Sequence, residues 1–278
     1  MMGLVGIMFT YLDTARSHVG ENASILQASL IRNDLQKAFS SFLGKKPGKK
    51  TLQMIYGAPI SLKEKKGDMR LSMHCAPLRD RIPLIWLTWE ENEKKEKFYS
   101  LARELFDRLS DRANIREPNR LYQMINEKFR GEERREGIRP WIQRKKGIIS
   151  RKEFERILKN YRFEADDARI WNVEWERYFS FVNSDGNGTG IDGDFVNPET
   201  LSFLYEIDLQ DVKTAYRFGD LSRTLQELGE EKQRYEWLFM RTPSSDMTCE
   251  VNYDFMEKSH AIRLKYIARH IEEFQIEK

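Results

Sequence analysis

Cysteine is nearly absent from this 278-residue sequence: Cys75 and Cys249 are the only two, separated by more than half of the chain. A secreted chain of this length would often carry more of them at paired spacings, and a zinc site needs about four ligands. The two are read here as buried free thiols in a reducing compartment. His74 adjoins Cys75 but opens no CxxC or HxxxH pattern. Long apolar runs are missing too. The opening MMGLVGIMF has no preceding Lys or Arg and no small-residue cleavage site, and no later run approaches the ~20 residues of a membrane span. The expectation is a cytoplasmic protein with no membrane partner, its first residues forming a buried strand or short core segment. There is no Walker loop, no GxGxxG, no GxSxG and no HExxH, so the usual signatures of nucleotide-dependent and hydrolytic enzymes are lacking. No cofactor and no metal are expected.

What is present describes a folded chain. Hydrophobic residues make up 40% and charged residues 33%, with six Trp and a mean hydropathy of −0.67. That mixture is too apolar for disorder and too polar for a membrane protein. Net charge is only +3, but it is unevenly placed. Residues 1–150 carry 29 Lys or Arg against 18 Asp or Glu, whereas residues 151–278 carry 18 against 26. A basic half can face a polyanion while an acidic half stays in solvent, or the halves can attract each other.

Periodicity divides the chain. Leu26, Ile31, Leu35, Phe39 and Phe42 recur at helical spacing over residues 23–43, with Gly44 and Pro47 as stop signals. Residues 51–89 then change period: TLQMIYG (51–57) and ISLKEKK-GD-MRLSMHC read as strands. Met69, Leu71, Met73 and Cys75 share one side of a strand, Gly67-Asp68 stands where a hairpin must turn, and RIPLIWLTW reads as a third strand. From residue 93 the pattern is helical. Phe98, Leu101, Ala102, Leu105 and Leu109 mark one helix, and Pro118 opens another ahead of Leu121, Ile125 and Phe129. Ser150-x-x-Glu153 is a capping box before Phe154, Ile157, Leu158 and Tyr161, and Trp171, Trp175 and Tyr178 mark a further helix. A Gly/Asp/Asn-rich loop spans 183–198, and a last helix is predicted over 253–277. The expected fold is mostly α (α+β): a small N-terminal antiparallel sheet packed on a helix within residues 1–92, then a larger helical portion over 93–278, the two sharing one core.

Basic clusters carry the leading functional expectation. The loop GKKPGKK holds Lys45, Lys46, Lys49 and Lys50. Residues 128–152 contain ten Lys or Arg and three acids, among them Arg135, Arg139, Arg144, Lys145 and Lys146, with Trp141 in the middle. Such cations can track a phosphate backbone while a Trp stacks on an unpaired base. The plain alternative is a solvated charged loop whose Trp141 plugs the core.

The predicted last helix offers a second candidate. Met256, His260, Leu264, Ile267, Ile271 and Phe274 form a helical seam, and Arg263 and His270, seven residues apart, flank it. This Arg–six residues–His arrangement is similar to the short motif of HEPN-type ribonucleases, helical proteins that pair two such helices across a dimer. The resemblance covers eight residues and implies a catalytic role for both: His270 in acid–base chemistry on a 2′-hydroxyl and Arg263 on the phosphate. The polar residue that usually follows the motif's Arg is Leu264 here.

Two further patterns are weaker. In NSDGNGTGIDGD (183–194), Asp185, Asn187, Gly188 and Asp194 fall on calcium-loop positions, but Ile191 is one place late and Asp194 replaces the bidentate Glu. Glu64-Lys65-Lys66 and Glu93-Lys94-Lys95 read E-x-K, near a hairpin tip and past a strand end rather than on a central strand. The sequence thus predicts an intracellular nucleic-acid-associated protein, one subunit of a larger complex. The alternatives are a protein–protein adaptor or inhibitor without catalysis, with a protein partner or a second copy of the chain, and a metal-independent HEPN-like ribonuclease.

Overall fold

The computed structural model describes residues 29–41, 43, 48–63, 70–89, 93–135, 151–181, 190–255, 258–267 and 269–277. Along the chain come helix α1 (29–41), α2 (Lys49–Gly57), strands β1 (Ile60–Lys63) and β2 (Arg70–Pro77), and the two-residue strand β3 (Ile82–Pro83). Helices α3 (Glu96–Arg112), α4 (Pro118–Arg135) and α5 (Arg151–Ala165) follow, then α6 (Trp175–Tyr178), β4 (Phe179–Ser180), α7 (Pro198–Tyr205), α8 (Leu209–Ala215) and α9 (Leu221–Leu228). Strands β5 (Met247–Phe255), β6 (Lys258–Ile267) and β7 (His270–Glu277) complete the order. The fold is mostly helical α+β, with a small antiparallel sheet.

Two compact units result. One joins the residues up to Pro77 to those from Ser245, and the other runs from Leu78 to Ser244. The expected boundary at residue 92 therefore differs from the observed division, which is discontinuous. The sheet takes β1 and β2 from before the helical unit and β5, β6 and β7 from after it.

The sheet has the order β1-β2-β5-β6-β7, every pair antiparallel. It is a meander interrupted once, between β2 and β5, by the whole helical unit. Side chains alternate with period two. Leu71, Met73 and Cys75, Met247, Cys249, Val251 and Tyr253, and Ile262, Leu264 and Tyr266 are buried on one side. His74, Glu250, Asn252 and Asp254 are exposed on the other. Helix α1 packs its buried stripe of Ile31, Leu35 and Phe39 in this unit, with the Phe39 ring centroid 5.1 Å from that of Tyr266. Its polar side chains reach strand β7. Gln36 Nε2 donates to the Arg269 carbonyl (2.8 Å) and Gln36 Oε1 accepts from the Ile271 N–H (2.7 Å), while Arg32 donates to the Ile271 carbonyl (3.3 Å).

The predicted helix over 253–277 is thus a β-hairpin. Its seam looked helical because two interruptions shift a period-two pattern: a register irregularity at Lys265/Tyr266 and a reversal between Ile267 and His270. The reversal places Arg269 in the left-handed region, φ 71°, without the Gly or Asn that normally announces such a turn. The strand predicted for TLQMIYG (51–57) is helix α2, and the predicted third strand over 81–89 is also corrected. Only Ile82–Pro83 is extended, in parallel with β4, and Leu84–Thr88 is a 3₁₀ helix that buries Leu84, Ile85, Trp86 and Leu87.

In the helical unit the core forms as the spacing predicts. Leu101, Ala102, Leu105, Phe106 and Leu109 of α3 meet Leu121 and Ile125 of α4 and Phe154, Ile157, Leu158 and Tyr161 of α5 in one cluster. Pro118 starts α4 as expected.

Candidate interaction surface

The helical unit presents a groove of about 530 Å³ between α5 and the segment 171–177. Asp167 sets one wall. Its carboxylate accepts from the Arg169 N–H (3.2 Å) at the start of the 3₁₀ helix Ala168–Asn172, from the Arg116 N–H (2.8 Å) and from Arg169 Nε (2.7 Å). The Arg169 guanidinium and these N–H groups hold the Asp167 carboxyl at about 2, well below the usual carboxylate range. That cap fixes the turn that carries Trp171, which is 42% exposed. Trp175 lies beneath, its indole N–H donating to the Ile170 carbonyl (3.3 Å) and its ring edge-on to Phe154 at 5.9 Å.

The opposite wall is α5, where Arg151, Phe154, Glu155, Leu158 and Lys159 share one face. Phe154, Leu158 and Trp175 give an apolar floor, and the rim is charged. Arg151 pairs with Glu155 (3.2 Å) and Glu176 (2.5 Å), and Arg177 pairs with Glu174 (2.8 Å). One turn beyond Lys159 on α5, Phe163 is 89% exposed. Exposed aromatics beside an apolar floor and a polar rim are the anatomy of a protein-docking surface, where large rings supply anchoring area at low entropic cost. Nothing in this arrangement pairs a nucleophile with a base.

A second polar arrangement is structural. Asp192 is 2% exposed; its N–H donates to the Arg79 carbonyl (2.7 Å), and its carboxylate accepts from the Ser244 N–H (2.8 Å). It therefore ties the first residues of the helical unit to the last. Burial pushes the Asp192 carboxyl up to about 7, helped by Asp194 and Asp80 and opposed by the Ser244 N–H. Asp80 is raised by burial as well, against its Arg81 ion pair (2.9 Å). Gly190, at φ 146°, lets this chain pass the Leu238 carbonyl, which a Cβ would meet at 2.7 Å.

Arg263 and His270, the pair predicted to be catalytic, are not brought together. Arg263 lies mid-strand on β6, opposite Gln275 and paired with Glu250 (3.1 Å), while His270 begins β7 opposite Ile267. Four positions of strand, about 13 Å, separate Arg263 from the residue facing His270. The helical line that carried the ribonuclease resemblance does not exist. Among the described histidines, His260 is half-buried and stacked on Tyr253 at 5.0 Å, whereas His74 and His270 are exposed. Lys49 and Lys50 open α2 in the sheet unit, and Arg135 ends α4 in the helical unit. Lys45, Lys46, Arg139, Trp141, Arg144, Lys145, Lys146 and Glu64 lie outside the described residues, as does most of the 183–194 loop. No group of three His, Cys, Asp or Glu that could hold a metal occurs among the described residues.

No family model matches the chain, and no curated protein matches it. The fold does have a solved counterpart. A chain in the crystal structure of the GspK–GspI–GspJ complex from the enterotoxigenic Escherichia coli type 2 secretion system is similar to it, with a TM-score of 0.57 and 10% identity over 94% of this chain and 99% of that one.

Two expectations are corrected on this finding. The chain it resembles belongs to a complex of proteins, and no finding supports nucleic-acid binding, so the nucleic-acid-associated reading is set aside. The cytoplasmic placement falls with it. That placement also leaned on free thiols, and Cys75 and Cys249 are joined in a disulfide. No helix among the described residues is long and apolar enough to cross a membrane. Sequence reasoning missed Asp167 as a cap and Trp171 as a surface ring. The short Asp-x-Arg before the Trp was the available signal, overlooked because Trp171 and Trp175 were assigned to one continuous helix.

Proposed function

We propose that the chain is a protein–protein adaptor without catalysis: a subunit of a multi-protein assembly that works outside the reducing cytoplasm. The observation that carries this reading is the likeness, over almost the full length of both chains, to a subunit of the GspK–GspI–GspJ secretion complex. The Trp171 groove and Phe163 support it by offering apolar anchors that the helical unit's own core does not use. The solvent side of the sheet favours a scaffold, with Arg263 and Glu250 paired across β5 and β6. His74, Glu250, Arg263 and Gln275 stand in one cross-strand row.

Co-expression with the products of the genes adjacent to its own, followed by light scattering on the purified material, tests the proposal. A stoichiometric complex with a defined mass is expected, and Trp171→Ala should weaken it about tenfold or more, as loss of a central aromatic anchor does. The chain staying monomeric with each of those products would refute the adaptor reading.

A further inference from the structure

Cys75 and Cys249 stand directly opposite each other on β2 and β5, their Cα atoms 4.1 Å apart. Both belong to the buried side of the sheet, at 1% and 0% exposure. Met73 and Val251 are buried on one side of the bridge, Met247 on the other, and Leu264 opposite Cys249 on β6. The bond lies two positions from Pro77, the last residue of β2, and the whole helical unit falls within its 174-residue separation.

Thiol–disulfide exchange requires a third sulfur to approach in line with the bond under attack. Neither sulfur in this sheet offers such an approach, because both are enclosed by apolar side chains. With only two cysteines in the chain, there is one possible intramolecular pair and no isomer to correct. We infer that Cys75–Cys249 is a maturation site: the chain is a substrate of a dithiol–disulfide oxidant that acts before the sheet closes, and the finished bond is a permanent clasp where the chain leaves the sheet and returns to it. In the first step, the thiolate of one cysteine attacks the oxidant's disulfide and releases one of its sulfurs as a thiolate. In the second, the other cysteine's thiolate attacks the protein-side sulfur of that mixed disulfide. The Cys75–Cys249 bond forms and the oxidant leaves as a dithiol. Two electrons pass to the oxidant, and the two cysteine protons end on its thiols. The class of reaction that must precede folding is thus oxidation by a disulfide donor, as oxidising compartments supply. Once α1 and the sheet have packed, burial excludes reductant as it excludes oxidant, which separates this bond from an exposed regulatory one.

Maleimide labelling read by mass tests the inference on the full-length protein. Denatured protein produced in an oxidising compartment should take up no label, and after reduction in urea it should take up two. With dithiothreitol and no denaturant, reduction should be at least a hundredfold slower than in urea. Two labels on the unreduced protein, or equal rates with and without urea, would overturn the proposal. The Cys75→Ala/Cys249→Val variant reads the clasp separately. It should lower the melting temperature of the sheet unit by about 10 °C or more; an unchanged transition would show that the bond holds nothing.

Discussion

Asp192 shows how one residue can set a pH response. Its carboxyl titrates at about 7 in the folded chain, against an ordinary value of 3.8. The folded state therefore holds a proton that the unfolded state has released across that interval. Stability contributed by the protonated form is present below about pH 4 and is lost as pH rises towards 7. The loss is on the order of 4 kcal/mol at pH 8 if Asp192 alone responds. Asp80, also raised by burial, acts in the same direction. Asp192→Asn keeps an acceptor for the Ser244 N–H without the charge. Urea titrations of the helical unit should find this variant more stable than the parent at pH 8, by a smaller margin at pH 5, and nearly equal to it at pH 3. A parent whose stability is flat between pH 5 and 8 would contradict the burial argument. None of this was legible in the sequence, where Asp192 was one acid among several in a Gly/Asp/Asn-rich loop. Its role depends on a carbonyl and an N–H that come from opposite ends of the helical unit.

At the level of elements, what the sequence showed depended on where each pattern was interrupted. Helices α3, α4 and α5 could be read because their apolar stripes run unbroken and Pro118 marks a start. The β1–β2 hairpin could be read from the alternation of Met69, Leu71, Met73 and Cys75 together with the Gly67-Asp68 turn signal. The β6–β7 hairpin could not, since its turn at Arg269 lacks a turn residue and its irregularity at Lys265/Tyr266 moves the apolar phase by one position. Met247-Thr248-Cys249-Glu250-Val251-Asn252 does alternate, but the helical spacing from Met256 onward masks it. Strand and helix make one shared forecast and one divergent one. Leu264 is fully buried in either case, and Leu264→Ala should cost about 2–5 kcal/mol in denaturant titrations. On the strand, however, Arg263 faces Glu250 in an exposed pair, so Arg263→Ala should cost under about 1 kcal/mol. His270→Ala should leave stability equally little changed, and no ribonuclease activity should depend on either residue. Loss of RNA cleavage in both variants would restore the arrangement that the strands exclude.

In chain order the helical unit is an insertion between β2 and β5 of the sheet, and each unit holds its own two ends of the chain together. In the sheet, Pro77 pairs with Met247 beside the Cys75–Cys249 bond. In the helical unit, Asp192 binds the Arg79 carbonyl and the Ser244 N–H. An insertion whose ends are already held together closes its host turn almost as a short loop would, because the entropy of closing it is met inside the insert. The bridge then stabilises the sheet by about 3 kcal/mol when the helical unit is folded, and by about 5 kcal/mol when it is not, following the loop lengths each case leaves free. Three measurable consequences follow. Residues 78–244 made alone should melt cooperatively and keep the pH response of Asp192. A chain in which Asn-Gly replaces residues 78–246, joining Pro77 to Met247 by a two-residue hairpin loop, should still form the disulfide and show strand-rich circular dichroism. In the intact protein, Asp192→Asn should shift only the helical transition, and loss of the cysteine pair chiefly the sheet transition. A single transition moved equally by both changes would mean that the two units do not fold as separate cooperative bodies.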